Sequence, residues 1–91
     1  LHPALLPKFG GIGMYGHYVH EAVRKANETE TGMTVHWVSP VCDRGEIIAQ
    51  FRTPITPDDT PDDIAAKEHV LEMKHFPQVI EAILKQEKLI Q

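Results

Sequence analysis

Two prolines and four glycines in the first 16 residues limit what the beginning of this chain can form. Pro3 and Pro7 lack the backbone N–H that a helix or a β-ladder needs, and the glycines at positions 10, 11, 13 and 16 are typical of turns. The pattern predicts an irregular loop over residues 1–16 that lies outside the core. Regular secondary structure is therefore expected only from His17 onward.

A short amphipathic helix is predicted from His17 to about Asn27. Its apolar residues recur at the i, i+3, i+4 and i+7 positions that share one helix face: Val19, Ala22, Val23 and Ala26. The polar residues between them are expected to face solvent.

Two strands are predicted after this helix. Apolar and polar side chains alternate over residues 33–38, and Thr34 and His36 share one face. Met33, Val35 and Trp37 alternate with Thr34, His36 and Val38, which predicts a half-buried strand. A second strand is predicted over residues 46–55, and the turn-rich link between the two predicts an antiparallel pair.

A long second helix is predicted from Pro61 to about Lys85, with Thr60 as its N-cap. Pro77 lies within this pattern and predicts a kink or a restart of the helix. The apolar residues of the helix include Ala65, Phe76, Val79, Ile80 and Ile83.

The apolar stripe of that helix continues backward from Phe76 onto two polar residues, Glu72 and His69. Their i, i+3 spacing puts them on one helix face. Two interpretations remain open. Either this part of the helix is simply exposed, or the stripe passes over a cleft in which the carboxylate and the imidazole bind one ligand together.

The composition excludes several classes of protein. A chain of 91 residues with a net charge of −4 and no basic stripe suits one domain that does not bind nucleic acid. The single Cys42 excludes an internal disulfide and fits a reducing, cytoplasmic setting. No apolar run approaches the roughly 18 residues of a membrane span. His17 and His20 have a spacing used in metal sites, but no third ligand accompanies them, so no metal is expected.

Three further polar residues are candidates for chemistry. His2 precedes Pro3, which restricts the backbone of His2 to extended conformations and gives its side chain a defined direction. His36 can equally be a core histidine, and turn chemistry alone explains Asp43. Spacing by itself assigns none of them a role.

Four motifs, taken in order, resemble one protein family. HPALLPKF at residues 2–9, Thr-Val-His at 34–36, a loop ending in Asp43 before GEIIAQ, and EHVLEMKHFP at 68–77 resemble the folate-dependent formyltransferases. The resemblance implies an α/β class and a Rossmann-like catalytic domain. Within that domain, residues 1–91 would be the carboxy-terminal half, with a β-hairpin and two helices.

The resemblance also implies roles for individual residues. His2 would be the catalytic histidine and Asp43 its partner carboxylate. The loop that would hold the pterin end of the folate, mostly through backbone groups, comprises Ser39, Pro40, Val41, Cys42 and Asp43. The segment that would contact glycinamide ribonucleotide comprises His69, Val70, Leu71 and Glu72. Glu72 matches the usual glutamate of the family, whereas His69 stands where an amide or a lysine is more common.

The implied reaction is formyl transfer from 10-formyltetrahydrofolate to the amine of glycinamide ribonucleotide, in de novo purine biosynthesis. It passes through a tetrahedral intermediate with a developing oxyanion, for which a protonated His2 beside a carboxylate is a suitable donor. Three alternatives stay open: transfer to methionyl-tRNA, hydrolysis of the formyl group, and folate binding without catalysis. Small-molecule substrates are the expected partners, with neither nucleic acid nor a membrane.

The chain contains only part of the family pattern. That pattern is Asn-x-His-Pro-x-Leu-Leu-Pro, and its asparagine would lie one position before Leu1. The first half of the family domain carries a glycine-rich phosphate loop and most of the parallel sheet, and neither is found in this sequence. We therefore expect the amino-terminal half to be absent, the chain alone to be nearly inactive, and association through the surface that the absent half would cover.

Overall fold

The computed structural model describes residues 1–37 and 46–90, which form two helices and two strands. In chain order these are α1 (Gly16–Lys25), β1 (Glu30–His36), β2 (Ile47–Pro54) and α2 (Pro61–Ile90). β1 and β2 pair in antiparallel orientation. The predicted α/β class, with an antiparallel strand pair and two helices, is confirmed.

The start of α2 is stabilised by reciprocal capping between Thr60 and Asp63. The N–H of Asp63 donates to Thr60 Oγ1 (3.2 Å), and the N–H of Thr60 donates to Asp63 Oδ2 (2.9 Å). Each bond satisfies a backbone donor that the first helical turn leaves free. The prediction of Thr60 as the N-cap is confirmed.

Pro77 does not end α2. The helix continues through it to Ile90, so the predicted restart is wrong, and the alternative of a kink stays a prediction. Pro77 removes one backbone donor, but Phe76 and Val79 beside it pack against the strands. The packing of this apolar face outweighs the loss of one backbone hydrogen bond.

The first residues of the chain belong to the core, which corrects the prediction of a loop outside it. Ala4 is completely buried and Phe9 is 8% exposed. The N–H of His2 donates to the carbonyl O of Thr34 (2.7 Å), and the N–H of Thr34 donates to the carbonyl O of His2 (2.9 Å). A proline removes only its own N–H, so His2, which precedes Pro3, still pairs with β1.

The pairing of β1 with β2 changes register after Val35, where Ile48 is the extra residue of a β-bulge. Met33 and Val35 are buried, but Trp37 beyond the bulge is 51% exposed. Thr34 is buried as well, so both faces of β1 are covered and the prediction of a half-buried strand is wrong. β1 ends at His36, and Trp37 lies beyond the end of the strand.

The core consists of two apolar clusters that share α2. The first cluster joins the beginning of the chain to both helices: Ala4, Phe9, Val19, Val23, Ile55 and Ile64. The second cluster joins the strands to α2: Met33, Val35 and Leu71, with Ile48, Phe51, Phe76 and Val79 partly buried. On α2, the buried Glu68 lies between Ile64 of the first cluster and Leu71 of the second.

Candidate functional site

The hydroxyl of Thr34 ties the beginning of the chain to the strands. Its Oγ1 donates to the carbonyl O of Ala4 (2.8 Å) and accepts from the N–H of Leu6 and from Gln50 Nε2 (3.1 Å each). Gln50 Nε2 also donates to the carbonyl O of Leu6 (2.8 Å). Because Thr34 is completely buried, water does not compete for these bonds, and they hold the backbone around His2 in one position.

The imidazole of His2 has an anchor of its own. Its Nε2 is hydrogen-bonded to the carbonyl O of Phe9. A carbonyl oxygen only accepts, so Nε2 carries the hydrogen, and Nδ1 is the ring nitrogen that this bond leaves for another partner. Phe9 is buried in the first cluster. The partly exposed ring of His2 is therefore held in one orientation.

His2 and His36 line the same small cavity, which has a volume of about 150 Å³. Its other lining residues are Leu6, Gly10, Gly11 and Met14. Pockets for whole small molecules typically measure about 300–1,000 Å³, so this cavity is smaller than such a pocket and has the size of a reacting group. His36 is only partly buried and donates from Nδ1 to the carbonyl O of Trp37 (3.1 Å). It is a cavity residue and not a core histidine.

The predicted folate-binding residues lie outside the described residues: Ser39, Pro40, Val41, Cys42 and Asp43. The described residues on either side of them meet next to His36, a residue of the His2 cavity: the N–H of Trp37 donates to the carbonyl O of Glu46 (3.0 Å). The meeting of His2 with Asp43 stays a prediction.

The predicted substrate segment, residues 69–72, lies in the middle of α2, and its side chains face different ways. Leu71 is buried in the second cluster, while His69 and Val70 are largely exposed. His69 Nδ1 is 4.0 Å from Glu72 Oε2, and the Glu72 side chain is 29% exposed. The interpretation that His69 continues the core stripe is wrong. The contacts of this segment with a substrate stay predictions.

Glu68, which the sequence pattern did not single out, takes the buried position on this helix face. It is 2% exposed, and its Oε2 has no hydrogen-bond partner among the described residues. Burial, together with the proximity and the charge of Glu72, raises the pKa of Glu68 to about 9. Glu68 therefore keeps its proton at neutral pH. Its i+4 spacing from the buried Ile64 is the sequence signal that points to this position.

His20 on α1 is another buried titratable residue. It is 6% exposed, and Nδ1 lacks a hydrogen-bond partner in the part of the chain that the structure describes. Burial lowers the pKa of His20, the charges of His17 and His2 add to this, and the charge of Glu72 opposes it. The charges of His2 and Glu72 thus both act on His20, which the sequence singles out only as one of two histidines with a spacing used in metal sites.

Within residues 1–37 and 46–90, no three His, Cys, Asp or Glu side chains are arranged to hold a metal ion. Over the same ranges, neither helix combines the length and the apolar character needed to cross a membrane.

The sequence matches known proteins over most of its length. The family model described as formyl transferase matches residues 1–80. Phosphoribosylglycinamide formyltransferase, chloroplastic, of Arabidopsis thaliana is 41% identical over 83 residues, which cover 91% of this chain and 28% of the relative. Phosphoribosylglycinamide formyltransferase of Haemophilus influenzae is 35% identical over 80 residues, which cover 88% of this chain and 35% of the relative. The chain thus spans 28% to 35% of the length of these two curated relatives.

Solved structures share this fold. Phosphoribosylglycinamide formyltransferase from Anaplasma phagocytophilum matches with a TM-score of 0.80 and 31% identity, covering 92% of this chain and 38% of that chain. The enzyme of the same name from Streptococcus pneumoniae TIGR4 matches with a TM-score of 0.76 and 36% identity, covering 91% of this chain and 43% of that chain. The antiparallel strand pair and the two helices therefore correspond to part of a known α/β fold.

Proposed function

The chain belongs to the formyl transferase family, and we propose that it contributes the catalytic histidine of an enzyme that formylates the amine of glycinamide ribonucleotide in purine biosynthesis. The formyl donor in this proposal is 10-formyltetrahydrofolate. The names of the relatives support this acceptor. The observation that carries the proposal is the double anchoring of His2, whose backbone is bonded to Thr34 and whose ring is bonded to Phe9.

The proposed chemistry needs one well-placed donor. The amine nitrogen bonds to the formyl carbon, the bond from that carbon to the folate nitrogen breaks, and the proton lost by the amine ends on the folate nitrogen. His2 would donate a hydrogen bond to the oxyanion of the tetrahedral intermediate and carry the proton. A ring held in advance suits this role because it does not reorganise during the reaction. The cavity of about 150 Å³ suits a formyl group and the attacking amine.

Asp43 is the proposed partner of His2. A carboxylate beside an imidazole favours the protonated ring, which is the form that donates to an oxyanion. The pterin end of the folate would bind along the same segment, through Ser39, Pro40, Val41, Cys42 and Asp43. The cavity residue His36, at the start of that segment, supports this arrangement.

Glu72 is the proposed acceptor for the hydrogen-bond donors of glycinamide ribonucleotide. Its carboxylate is partly exposed on α2, which supports access for a substrate. His69 would add a contact from the solvent side together with Val70. The buried Leu71 would act only by holding this helical turn in place.

The place of this chain in the catalytic domain, its partners and its cellular location are also part of the proposal. Residues 1–91 would form the carboxy-terminal part of the catalytic domain and associate through the surface that the rest of the domain covers. The substrates would be small molecules, with no nucleic acid among the partners. A single cysteine fits the cytoplasm, although the relative from Arabidopsis thaliana is named chloroplastic.

The proposal is tested in a graft in which this chain replaces the matched segment of the Haemophilus influenzae enzyme. With 10-formyltetrahydrofolate and glycinamide ribonucleotide, the graft is expected to turn over, whereas the chain alone is expected to be nearly inactive. His2→Ala is expected to lower kcat by about 100-fold or more. The control is His17→Ala, because His17 is exposed on α1. Unchanged turnover in His2→Ala contradicts the proposal, and formate release without the ribonucleotide indicates hydrolysis instead.

A further inference from the structure

Glu68 occupies a position that apolar residues normally take. Its neighbours on the same face of α2, Ile64 and Leu71, are both buried, and Glu68 itself is 2% exposed. An ionised carboxylate at such a site needs a cation or several hydrogen-bond donors. Glu68 Oε2 has no such partner within the described ranges.

Two basic side chains of the helices are engaged elsewhere. Lys67 Nζ donates to Asp59 Oδ2 (2.6 Å). Arg24 Nη1 donates to the carbonyl oxygens of Thr56 (2.8 Å) and Asp59 (2.9 Å). Neither compensates a charge on Glu68, which is consistent with a carboxyl that keeps its proton.

We propose that Glu68 is a positioning residue for Glu72: its protonated carboxyl donates a hydrogen bond to the Glu72 carboxylate and sets the direction of the lone pairs that meet the substrate. The two residues are one helical turn apart, the spacing at which side chains on a helix meet. Glu72 is the more exposed of the two, so the negative charge resides on Glu72 and the proton on Glu68. The inference rests on the proposed role of Glu72 in binding glycinamide ribonucleotide.

The side chains around Glu68 and Glu72 are consistent with a proton on Glu68 and a negative charge on Glu72. His20 on α1 is buried, which favours its neutral form, and the charge of Glu72 opposes this effect. His69 approaches Glu72 from the solvent side, at 4.0 Å. Glu68 thus donates to Glu72 from the interior, and the donors of a ribonucleotide approach Glu72 from the opposite side.

Two substitutions in the graft distinguish a positioning role of Glu68 from a purely structural role. Glu68→Gln keeps the shape and an N–H donor, so the KM for glycinamide ribonucleotide is expected to stay within about threefold of wild type. Glu68→Leu keeps the burial and removes the donor, so this KM is expected to rise about tenfold while kcat changes by less than about threefold. Circular dichroism confirms that both variants are folded. An unchanged KM in Glu68→Leu, or an equal rise in both variants, overturns the inference.

The pH profile gives a readout that a purely structural residue does not move. In the wild-type graft, the KM for glycinamide ribonucleotide is expected to gain an additional rise as the pH passes about 9, because Glu68 loses its proton there. In Glu68→Gln this additional rise is expected to disappear. Identical profiles for the two proteins overturn the inference.

Carbon-13 NMR of labelled glutamate carboxyls in the graft tests the pair without activity. A carboxyl that titrates near pH 9 is expected in wild type and is expected to vanish in Glu68→Gln. In Glu72→Gln, the same titration is expected to move toward the ordinary range of a glutamate. If no carboxyl titrates in this way, the pair itself is refuted. If the titration is present but Glu72→Gln leaves KM unchanged, the substrate role of Glu72 fails, and the positioning inference fails with it.

Discussion

The hydroxyl of Thr34 donates to the carbonyl oxygen of Ala4 over 2.8 Å, across 30 positions of sequence. This bond connects a buried strand to the segment that carries His2. It lies in a group of hydrogen bonds that also reaches Leu6 and Gln50. The orientation of the candidate catalytic histidine therefore depends on a residue that does not line its cavity.

Thr34→Val removes this hydroxyl and keeps the shape of the side chain. The buried carbonyl of Ala4 and the N–H of Leu6 lose their partner, so the free energy of unfolding is expected to fall by about 2–3 kcal/mol. The matched control is Thr31→Val on the same strand. Thr31 is also buried, but its Oγ1 has no partner among the described residues, so this change is expected to be neutral or stabilising. Urea unfolding measures both, and equal losses contradict the prediction.

Gly32→Ala tests how closely the backbone of β1 is packed. A Cβ at Gly32 would overlap the carbonyl O of Phe51 on the paired strand and the side chain of Leu5. The backbone of β2 does not yield without breaking the strand pairing, so a loss of about 2–3 kcal/mol is expected. At Gly10 the nearest atom is Leu6 Cδ2 at 2.7 Å, the end of a flexible side chain. Gly10→Ala is therefore expected to cost clearly less, and similar costs for the two variants refute this account.

Glu68 makes the stability of the fold depend on pH. Its pKa is about 9 in the folded chain, against 4.5 as the ordinary value. Between these values the folded state binds more protons than the unfolded state. The contribution of Glu68 to the free energy of unfolding is therefore fully present below pH 4.5 and is lost as the pH rises through about 9. The slope is expected to reach about 1.4 kcal/mol per pH unit.

Urea unfolding from about pH 5 to about pH 10 measures this slope. The Glu68→Gln variant has no carboxyl proton to lose, so this substitution is expected to remove the slope. Glu81→Gln, at an exposed position of the same helix, is the matched control and is expected to keep it. A wild-type stability that does not decrease over this range is incompatible with a buried, protonated Glu68.

Pro77→Ala tests the continuity of α2. An alanine restores the backbone donor that the proline lacks and removes its clash with the preceding turn, so the free energy of unfolding is expected to rise by about 1–3 kcal/mol. Gln78→Ala, at the next exposed position, is expected to change little. The measurement is thermal unfolding followed by circular dichroism. No gain from Pro77→Ala means that the helix does not run unbroken through this position.

The helices and strands were predictable because their signals are local. The apolar spacing of α1, the alternation in β1 and the capping pair Thr60 and Asp63 each lie within a few residues. The burial of the first residues was not predictable in this way. It depends on contacts between His2 and Thr34 that only the folded chain creates.

In the candidate site, too, one part is predictable from a local motif and another part depends on the folded chain. The assignment of His2 came from a motif, but the acceptor that orients its ring did not. The apolar stripe of a helix includes the positions both seven and eight residues from a given stripe residue. Counting back from Phe76 therefore leads to His69 and to Glu68, and only the packing of α2 decides between them.

The length of α2 has a mechanical consequence. Its 30 residues span about 45 Å at 1.5 Å each, close to the longest dimension of the molecule, 49 Å. One end is clamped through Ile64 in the first cluster, and the middle is clamped through Leu71 and Val79 around the second. Glu72 therefore lies between two points at which α2 is anchored to the core, and the apolar contacts on both sides of it fix its place in the fold.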